Sequence, residues 1–523
     1  MTKRLLIIAV LLITRIASAQ TLVWDQTYTI AGSNLLHSTT VSHINGVYTA
    51  GEEDVTATGV VKLRVTRHSN SGVLQYTNAF QFGSAVNNLG VHKIDCDSLG
   101  NIYVMVTAYK IANNNSDCYL LSYSPTLSLR WIRSINSGND NTGGDFTRSS
   151  NGNIYAAISF KTPSTTTYNI AIHKVNMSTG VIAYSGSAVT GSFYAIKRVQ
   201  IDASGNTYIC SNVGLGGSLY NGTLSRFSST GVHSWTTVYT SATTSYFNDM
   251  TLDNFGNNIY ICGTRNSAPA GLVLKYNTSG ANTGSYILSD SDDHNFMFIS
   301  YAVAGSVTVY GYTKTNPTNF PTMNLLLVNL NSALSSVIST SSYPTSGSGI
   351  YNVLLRDMSM VSHPNGSQTF LINMITILAG GGNDASYLVK INASGGVVFS
   401  NSANNIGKKL YPFVTTSVSN TDFLLTTTNY RTQRYTSTAA RISETEEDAS
   451  NVAVYPNPAR DYIYITGADR YGFLQVIDLN GRVVIERQWN PGEEINVASL
   501  AKGMYLIKLH TEDGFISKKV IVE

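Results

Sequence analysis

At 523 residues, 43% of them hydrophobic, the chain is long enough for at least two domains whose cores need neither disulfide nor metal. Its 34 basic and 31 acidic side chains leave a net charge of +3, too dilute and too balanced to drive binding to a phosphate backbone, so nucleic acid is not expected as a partner. The four cysteines, Cys96, Cys118, Cys210 and Cys262, lack the close pairing of a zinc or thiol-redox site.

The chain opens with Lys3 and Arg4, an apolar run over 5–13, and Ala17-Ser18-Ala19 before Gln20. A basic start, a short greasy core and small residues at Ala17 and Ala19 suit signal peptidase, whose pocket accepts only small side chains. The reading is a signal peptide over 1–19 and a mature protein starting at Gln20. The run is about half the ~20 residues of a bilayer crossing and no later segment replaces it, so no transmembrane segment is expected in the mature protein. No cysteine follows the cut, which removes a bacterial lipid anchor.

From residue 41 a rhythm sets in. VSHINGVYTAG, IDCDSLGNIYVMV, TRSSNGNIYAAI, IDASGNTYICS, LDNFGNNIYICG, YAVAGSVTVYGY and MVSHPNGSQTFLIN place Gly46, Gly100, Gly152, Gly205, Gly256, Gly305 and Gly366 at spacings of 54, 52, 53, 51, 49 and 61. Such a period marks a repeat architecture. Each segment is two alternating runs of β-branched and aromatic residues about a glycine turn, the pattern of a β-hairpin. A second hairpin follows each, as in GTLSRFSSTGVHSWTTVY. Two hairpins make a four-stranded sheet, and such sheets stacked about an axis make a β-propeller. An eighth first hairpin is read over 413–430, followed by TAARIS at 438–443. Its missing outer strand is supplied by TLVWDQTYTI at 21–30, whose Trp24 stands as Trp131 and Trp235 do in their repeats; pairing with 438–443 would close the ring. The expectation is an all-β fold with a β-propeller over 20–443, of eight blades, with seven as the alternative. The cores DSLGNIY, DASGNTY and DNFGNNIY resemble the bacterial β-propeller repeats of extracellular proteins. That resemblance implies no particular ligand.

Charge then rises: 22 of the 83 residues from Arg441 onward are charged, against 43 of the 440 before them. The acidic stretch ISETEEDASN gives a linker over 444–451 and a new domain over 452–523. Its alternating runs, divided at Asn480-Gly481 and Asp513-Gly514, predict hairpins in a small β-sandwich. Tyr455-Pro456-Asn457-Pro458, Asp461, Val476-Ile477-Asp478, Gly481-Arg482, Leu500, Gly503-Met504-Tyr505 and Lys518 resemble, in one order at the C-terminus, the C-terminal sorting domain of type IX secretion cargo from the Bacteroidetes, an Ig-like β-sandwich. The resemblance implies export to the periplasm, recognition by the type IX machinery, removal of the domain by a sortase-like peptidase at the linker, and a product that is secreted or attached to the outer-membrane surface.

Catalytic signatures are sparse. His43 and His363 stand three residues before a turn glycine, where Asp97, Asp202 and Asp253 stand in other repeats, a position whose side chain bonds the turn backbone. Neither a GxSxG elbow nor an HExxH helix occurs. The oxygen-rich Asp290-Ser291-Asp292-Asp293-His294-Asn295 misses a calcium loop, having Asn295 at position six and Tyr301 at position twelve. Cys96 and Cys118 fall two strands apart, and Cys210 and Cys262 read as small core residues. Asp97-Ser98-Leu99 resembles a three-residue O-glycosylation acceptor. Tyr103, Tyr155, Tyr208 and Tyr260 belong to core packing.

No catalytic, cofactor-binding or metal-binding residue is assigned, and no cofactor. The favoured reading is a secreted or surface-attached, non-catalytic propeller that binds an extracellular glycan or protein or serves adhesion. The alternative is a polymer-degrading hydrolase or lyase with its site at the propeller channel.

Overall fold

The computed structural model describes residues 21–436 and 453–523 apart from 32, 57, 84–85, 111–114, 162–166, 192, 215–219, 241–243, 267–268, 303–304, 315–322, 345–352, 363–367, 379–380, 392–396, 404–406, 413–422, 428–430, 468–471, 478–482 and 512–513. Every named element among them is a strand, and the chain divides into two compact units between residues 437 and 438.

In the first unit the described residues form eight four-stranded antiparallel sheets. Seven follow chain order, over 33–80, 88–134, 139–191, 193–238, 245–288, 293–344 and 353–403. The architecture is an all-β propeller. Burial explains the composition of each strand. In the second sheet, Ile102–Lys110 lies between neighbouring sheets and is buried on both faces, hence the unbroken run IYVMVTA. The outermost strand of the first sheet, Leu74–Phe80, is mostly exposed and mixes Gln, Thr and Asn with its apolar residues.

Apolar side chains from consecutive sheets interleave in separate layers. Tyr48 and Val65 meet Ile94 and Cys96 between sheets one and two, Cys118 and Leu120 meet Phe146 and Ile154 between two and three, and Tyr208 and Cys210 meet Phe247 and Ile261 between four and five. Each fully buried aliphatic side chain contributes about 1.5–3 kcal/mol, so the layers hold the wheel together.

The eighth sheet consists of Gly407–Pro412, Phe423–Thr427, Arg431–Thr436 and, as its outer strand, Thr21–Thr27. Thr21 lies opposite Thr436 and Asp25 opposite Gln433, whose Nε2 donates to Asp25 Oδ2 at 3.0 Å. The N-terminal strand therefore does close the sheet, but against 431–436 and not against 438–443, which lie outside the described residues. The sheet also begins earlier than the hairpin expected over 413–430. Its first strand, GKKLYP, carries two lysines and a proline in six residues, which hid its alternation.

Every innermost strand is bulged at the same place. The register skips one residue before Lys93, Asp145, Arg198, Asp249, Phe298, Asp357 and Lys409. A bulge re-aims the side chain beside it, as it does at Lys93, Asp145, Arg198 and Asp249.

The second unit has two sheets over one core. Ala453–Tyr455, Tyr462–Thr466 and Ile495–Asn496 form one, while Val483–Trp489, Gly472–Ile477, Gly503–Thr511 and Gly514–Val522 form the other. Trp489, Leu474, Ile463 and Val520 are buried between them. The pairings of Gly472–Ile477 with Val483–Trp489 and of Gly503–Thr511 with Gly514–Val522 are the two hairpins read from Asn480-Gly481 and Asp513-Gly514.

Candidate functional site

Strand order gives the propeller two unlike ends. Turns joining the first to second and third to fourth strands lie at one end, where in the first seven sheets they span two to five residues. Connections between second and third strands and between sheets lie at the other, where they vary from one to eight residues. The first is the turn end and the second the loop end. Irregular length is where function concentrates on a regular scaffold.

At the turn end, the DxxGNxY core is one hydrogen-bonded unit. Asp97 Oδ1 accepts from the N–H of Leu99 at 3.0 Å and of Asn101 at 2.8 Å, while Oδ2 accepts from Asn101 Nδ2 at 2.9 Å and the Tyr103 hydroxyl at 2.9 Å. Those bonds hold the Asp97 carboxyl below the usual carboxylate range although burial opposes them, and burial first, with Asp97 beside it, pushes the Tyr103 phenol up to about 12. Asp202 repeats the arrangement with Ser204, Asn206 and Tyr208. Gly100 and Gly205 sit at φ 81°, a left-handed conformation that costs other residues. His43 takes the same position with its ring: Nδ1 accepts from the Asn45 N–H at 3.2 Å, and Nε2 lies 3.2 Å from the Ser98 carbonyl of the next sheet. His363 lies outside the described residues.

Toward the axis, the bulge residues join neighbouring sheets. An innermost strand has a partner on one side only, so its other row of N–H and C=O groups must be satisfied elsewhere. Lys93 Nζ donates to Asp145 Oδ1 at 2.7 Å and to the Phe146 carbonyl at 2.6 Å. Asp145 Oδ2 accepts from the Val199 N–H at 2.9 Å. Arg198 Nε donates to Asp249 Oδ1 at 2.6 Å, and Asp249 Oδ2 accepts from the Ile299 N–H at 3.2 Å. Asn248 Nδ2 donates to the Phe296 carbonyl at 2.8 Å. Asp145 and Asp249 cap N–H groups, Lys93 caps a carbonyl, and each pair ties one sheet to the next. Sequence reasoning missed this belt because the partners lie about fifty residues apart on different sheets.

At the loop end a serine and a histidine meet. His173 Nε2 lies 3.1 Å from Ser137 Oγ, and Nδ1 lies 2.7 Å from Ser185 Oγ. A hydrolytic triad needs a carboxylate behind the imidazole to stabilise its cation; here a hydroxyl stands there, and burial lowers the His173 pKa to about 4. The Ser137 and Gly138 N–H groups, which an oxyanion would need, donate to Asn141 Oδ1. The contact fastens the connection over 135–138 and is poorly suited to proton transfer. Beside it Asp140, at φ 49°, accepts from Ser116 Oγ and from the Tyr168 hydroxyl at 2.8 Å.

The low pKa of His173 fixes a pH dependence. The folded state keeps the ring neutral down to about pH 4, whereas the unfolded chain takes up a proton below about 6.5. The contribution of His173 to stability is therefore complete above about pH 6.5 and falls by roughly 3 kcal/mol as the pH drops to about 4. Urea midpoints measured between pH 7 and 4 should fall steeply in the parent and less in His173→Asn.

Asp290 Oδ1 accepts from the Asp292 N–H at 2.8 Å and pairs with His294 Nε2 at 2.7 Å, so the oxygen-rich segment caps its own turn. Among the described residues no group of three or more His, Cys, Asp or Glu side chains converges as a metal site would require. The four thiols are free and buried, with Cys96 and Cys118 pushed up to about 12 by desolvation. Cys210 belongs to the layer between sheets four and five and Cys262 to that between five and six. Ellman's reagent should therefore find almost no thiol in the native protein and all four after denaturation.

In the second unit Asn457 acts as a strand substitute: Nδ2 donates to the Lys519 carbonyl at 3.0 Å and Oδ1 accepts from the Ile521 N–H at 2.9 Å. Pro456 and Pro458 follow cis peptide bonds, and Tyr455 stacks on Tyr464 with ring centres 5.7 Å apart. The Asp461 carbonyl accepts from the Val497 N–H, Leu500 packs against the core, and the Tyr505 hydroxyl donates to the Ala501 carbonyl at 2.7 Å. Gly503 starts its strand opposite Val522, and Lys518 lies opposite Ile507. Asp478, Gly481 and Arg482 lie outside the described residues, as do Ala17, Ala19 and Gln20.

Residues 453–523 match the family of the secretion system C-terminal sorting domain, which marks the chain for export. No curated protein matches the chain. Among solved structures, 69% of the chain is similar to puromycin hydrolase, at 9% identity and a TM-score of 0.38, and spans about half, 52%, of that chain. It is also similar to the β-propeller domain of the Trilobed protease from Pyrococcus furiosus, with 9% identity, a TM-score of 0.37, and 68% and 96% of the two chains covered. For Kuenenia stuttgartiensis hydrazine synthase the values are 10%, 0.37, 57% and 80%. At such values these likenesses bear on no activity.

Proposed function

We propose that the chain is cargo of a type IX secretion system of the Bacteroidetes kind, an eight-bladed propeller that binds an extracellular glycan or protein without catalysis. A signal peptide over 1–19, cut after Ala19, takes it to the periplasm. The Ig-like sandwich over 452–523 then passes it across the outer membrane, and cleavage in the linker over 444–451 leaves the propeller released or attached at the surface. The match of residues 453–523 to the sorting family carries the route. Binding without turnover is supported by the state of the titratable groups: Lys93, Asp145, Arg198 and Asp249 are spent on joining sheets, and His173 has no carboxylate behind it.

Removing residues 453–523 should leave the propeller in the periplasm, and its appearance in the medium at the parental level would end the export reading. Glycan and protein arrays probed with the exported propeller should give a saturable ligand. Silence on both, with hydrolysis of a polymer substrate, would favour a hydrolase or lyase.

A further inference from the structure

The belt around the axis divides its charges unequally between protein and solvent. Asp145 and Asp249 are 10% and 6% exposed, and each has both carboxylate oxygens taken, one by a base and one by an inner-strand N–H. Their partners Lys93 and Arg198 are 31% and 37% exposed. Arg198 gives Asp249 its Nε, while its Nη1 and Nη2 groups have no partner among the described residues. Lys197, the residue that the register skips in sheet four, is exposed and has no partner among the described residues either. It stands in the middle of Phe193–Ile201, an innermost strand whose sheet packs against sheets three and five on its two faces, so the solvent that Lys197 meets is that of the axis. These groups share one level, because single carboxylates tie them together. Asp145 reaches from Lys93 of sheet two to Val199 of sheet four, and Asp249 from Arg198 of sheet four to Ile299 of sheet six. The skipped position is held by His92, Gly144, Asn248 and Met297 in sheets two, three, five and six, and the register places Arg356 and Lys408 there in sheets seven and eight. In none of these seven sheets is it an acid. The inner strand of the eighth sheet lies beside that of the first, which brings the series round into a ring.

We propose that the axis of the propeller binds an anionic oxygen group, a carboxylate, sulfate or phosphate, held by Lys197 and the Nη groups of Arg198. Joining sheets accounts for Lys93 and for Nε of Arg198, but it leaves Lys197 and the outer edge of the guanidinium unused. Two unneutralised cationic groups, consecutive in the chain and facing an opening walled by protein, repel one another and concentrate anions there. The planar guanidinium offers parallel N–H donors to two oxygens of one anion, and the flexible ammonium has the reach to meet a third. A metal cation is disfavoured, because Asp145 and Asp249 have no oxygen left to give it. The inference goes beyond the proposed glycan or protein binding, since a free anion satisfies it as well as one carried on a larger ligand.

Isothermal titration calorimetry of the full chain from Gln20 with inorganic phosphate, and separately with trigalacturonate, both at fixed ionic strength, should give saturable binding in at least one series. Saturation by phosphate marks a free anion, and saturation by trigalacturonate alone marks a carboxylate carried on a sugar. Lys197→Gln should weaken the affinity about tenfold, Lys197→Glu should abolish binding, and Lys197→Arg should keep it. Lys197 is exposed, so without ligand the thermal midpoint of each variant should stay at the parental value, which separates a lost site from lost folding. Heats that never saturate in either series, or parental affinity in Lys197→Gln, would overturn the proposal. An equal loss in Lys502→Gln, an exposed base of the second unit, would overturn it too, since the attraction would then belong to no particular site.

Discussion

Replacing Asp249 with alanine should cost about 2–3 kcal/mol of stability, a large effect for a single polar substitution in the propeller. Its carboxylate is 6% exposed and accepts Arg198 Nε from one neighbouring sheet and the Ile299 N–H from the other. Without it a partly exposed guanidinium loses its counter-charge, which water screens in part, and an inner-strand N–H loses its acceptor. Burial alone would lower the Arg198 pKa, yet Asp249 holds it above its usual value. Converting Arg198 to Met as well should recover part of the loss, because the cation then no longer needs a partner. Urea unfolding of the single and double variants measures both quantities. A midpoint shift worth less than about 1 kcal/mol for Asp249→Ala would mean that water serves the pair as well as the protein does.

Deleting Thr21–Thr27 should have a broader effect. It strips the outer strand from the eighth sheet and bares the edge of Arg431–Thr436, whose unpaired N–H and C=O groups then invite another chain. The deletion protein should run as a dimer or larger species in size-exclusion chromatography and be cut by protease near the exposed strand, while the parent stays monomeric and resistant. A synthetic peptide, TLVWDQTYTI, added in trans should restore the monomer. A deletion protein as compact and resistant as the parent would show that closure adds little.

Local features were legible in the sequence and relations between sheets were not. Glycine turns, alternation and the Asp of DxxGNxY act within a few residues, so reading VSHINGVYTAG or DASGNTY as a hairpin required no knowledge of neighbours. Tyr103 reads as core in the sequence and does two things in the fold: its ring is buried and its hydroxyl closes the Asp97 network. Trp24 marks the closing strand, but its partner lies one strand earlier than 438–443, because Lys408, Lys409 and Pro412 break the pattern of the strand that starts the sheet. The inner belt escaped altogether. Lys93 and Asp145 look like ordinary surface charges in their own segments, and only the bulge that turns them and the wheel that brings sheets two and three together make them partners. For the same reason the Ser137–His173 contact had no sequence signal, and its lack of a carboxylate could be seen only in place.

The pairing of Thr21 with Thr436 puts the two ends of the propeller side by side. A short link between them and a new break in a tight turn such as 149–153 would give a rearranged gene whose protein keeps every strand neighbour it has now. Such a permuted chain should fold to the same wheel. The stability of the finished ring then belongs to the strand neighbours and the layers between sheets, and not to the point at which the chain is opened.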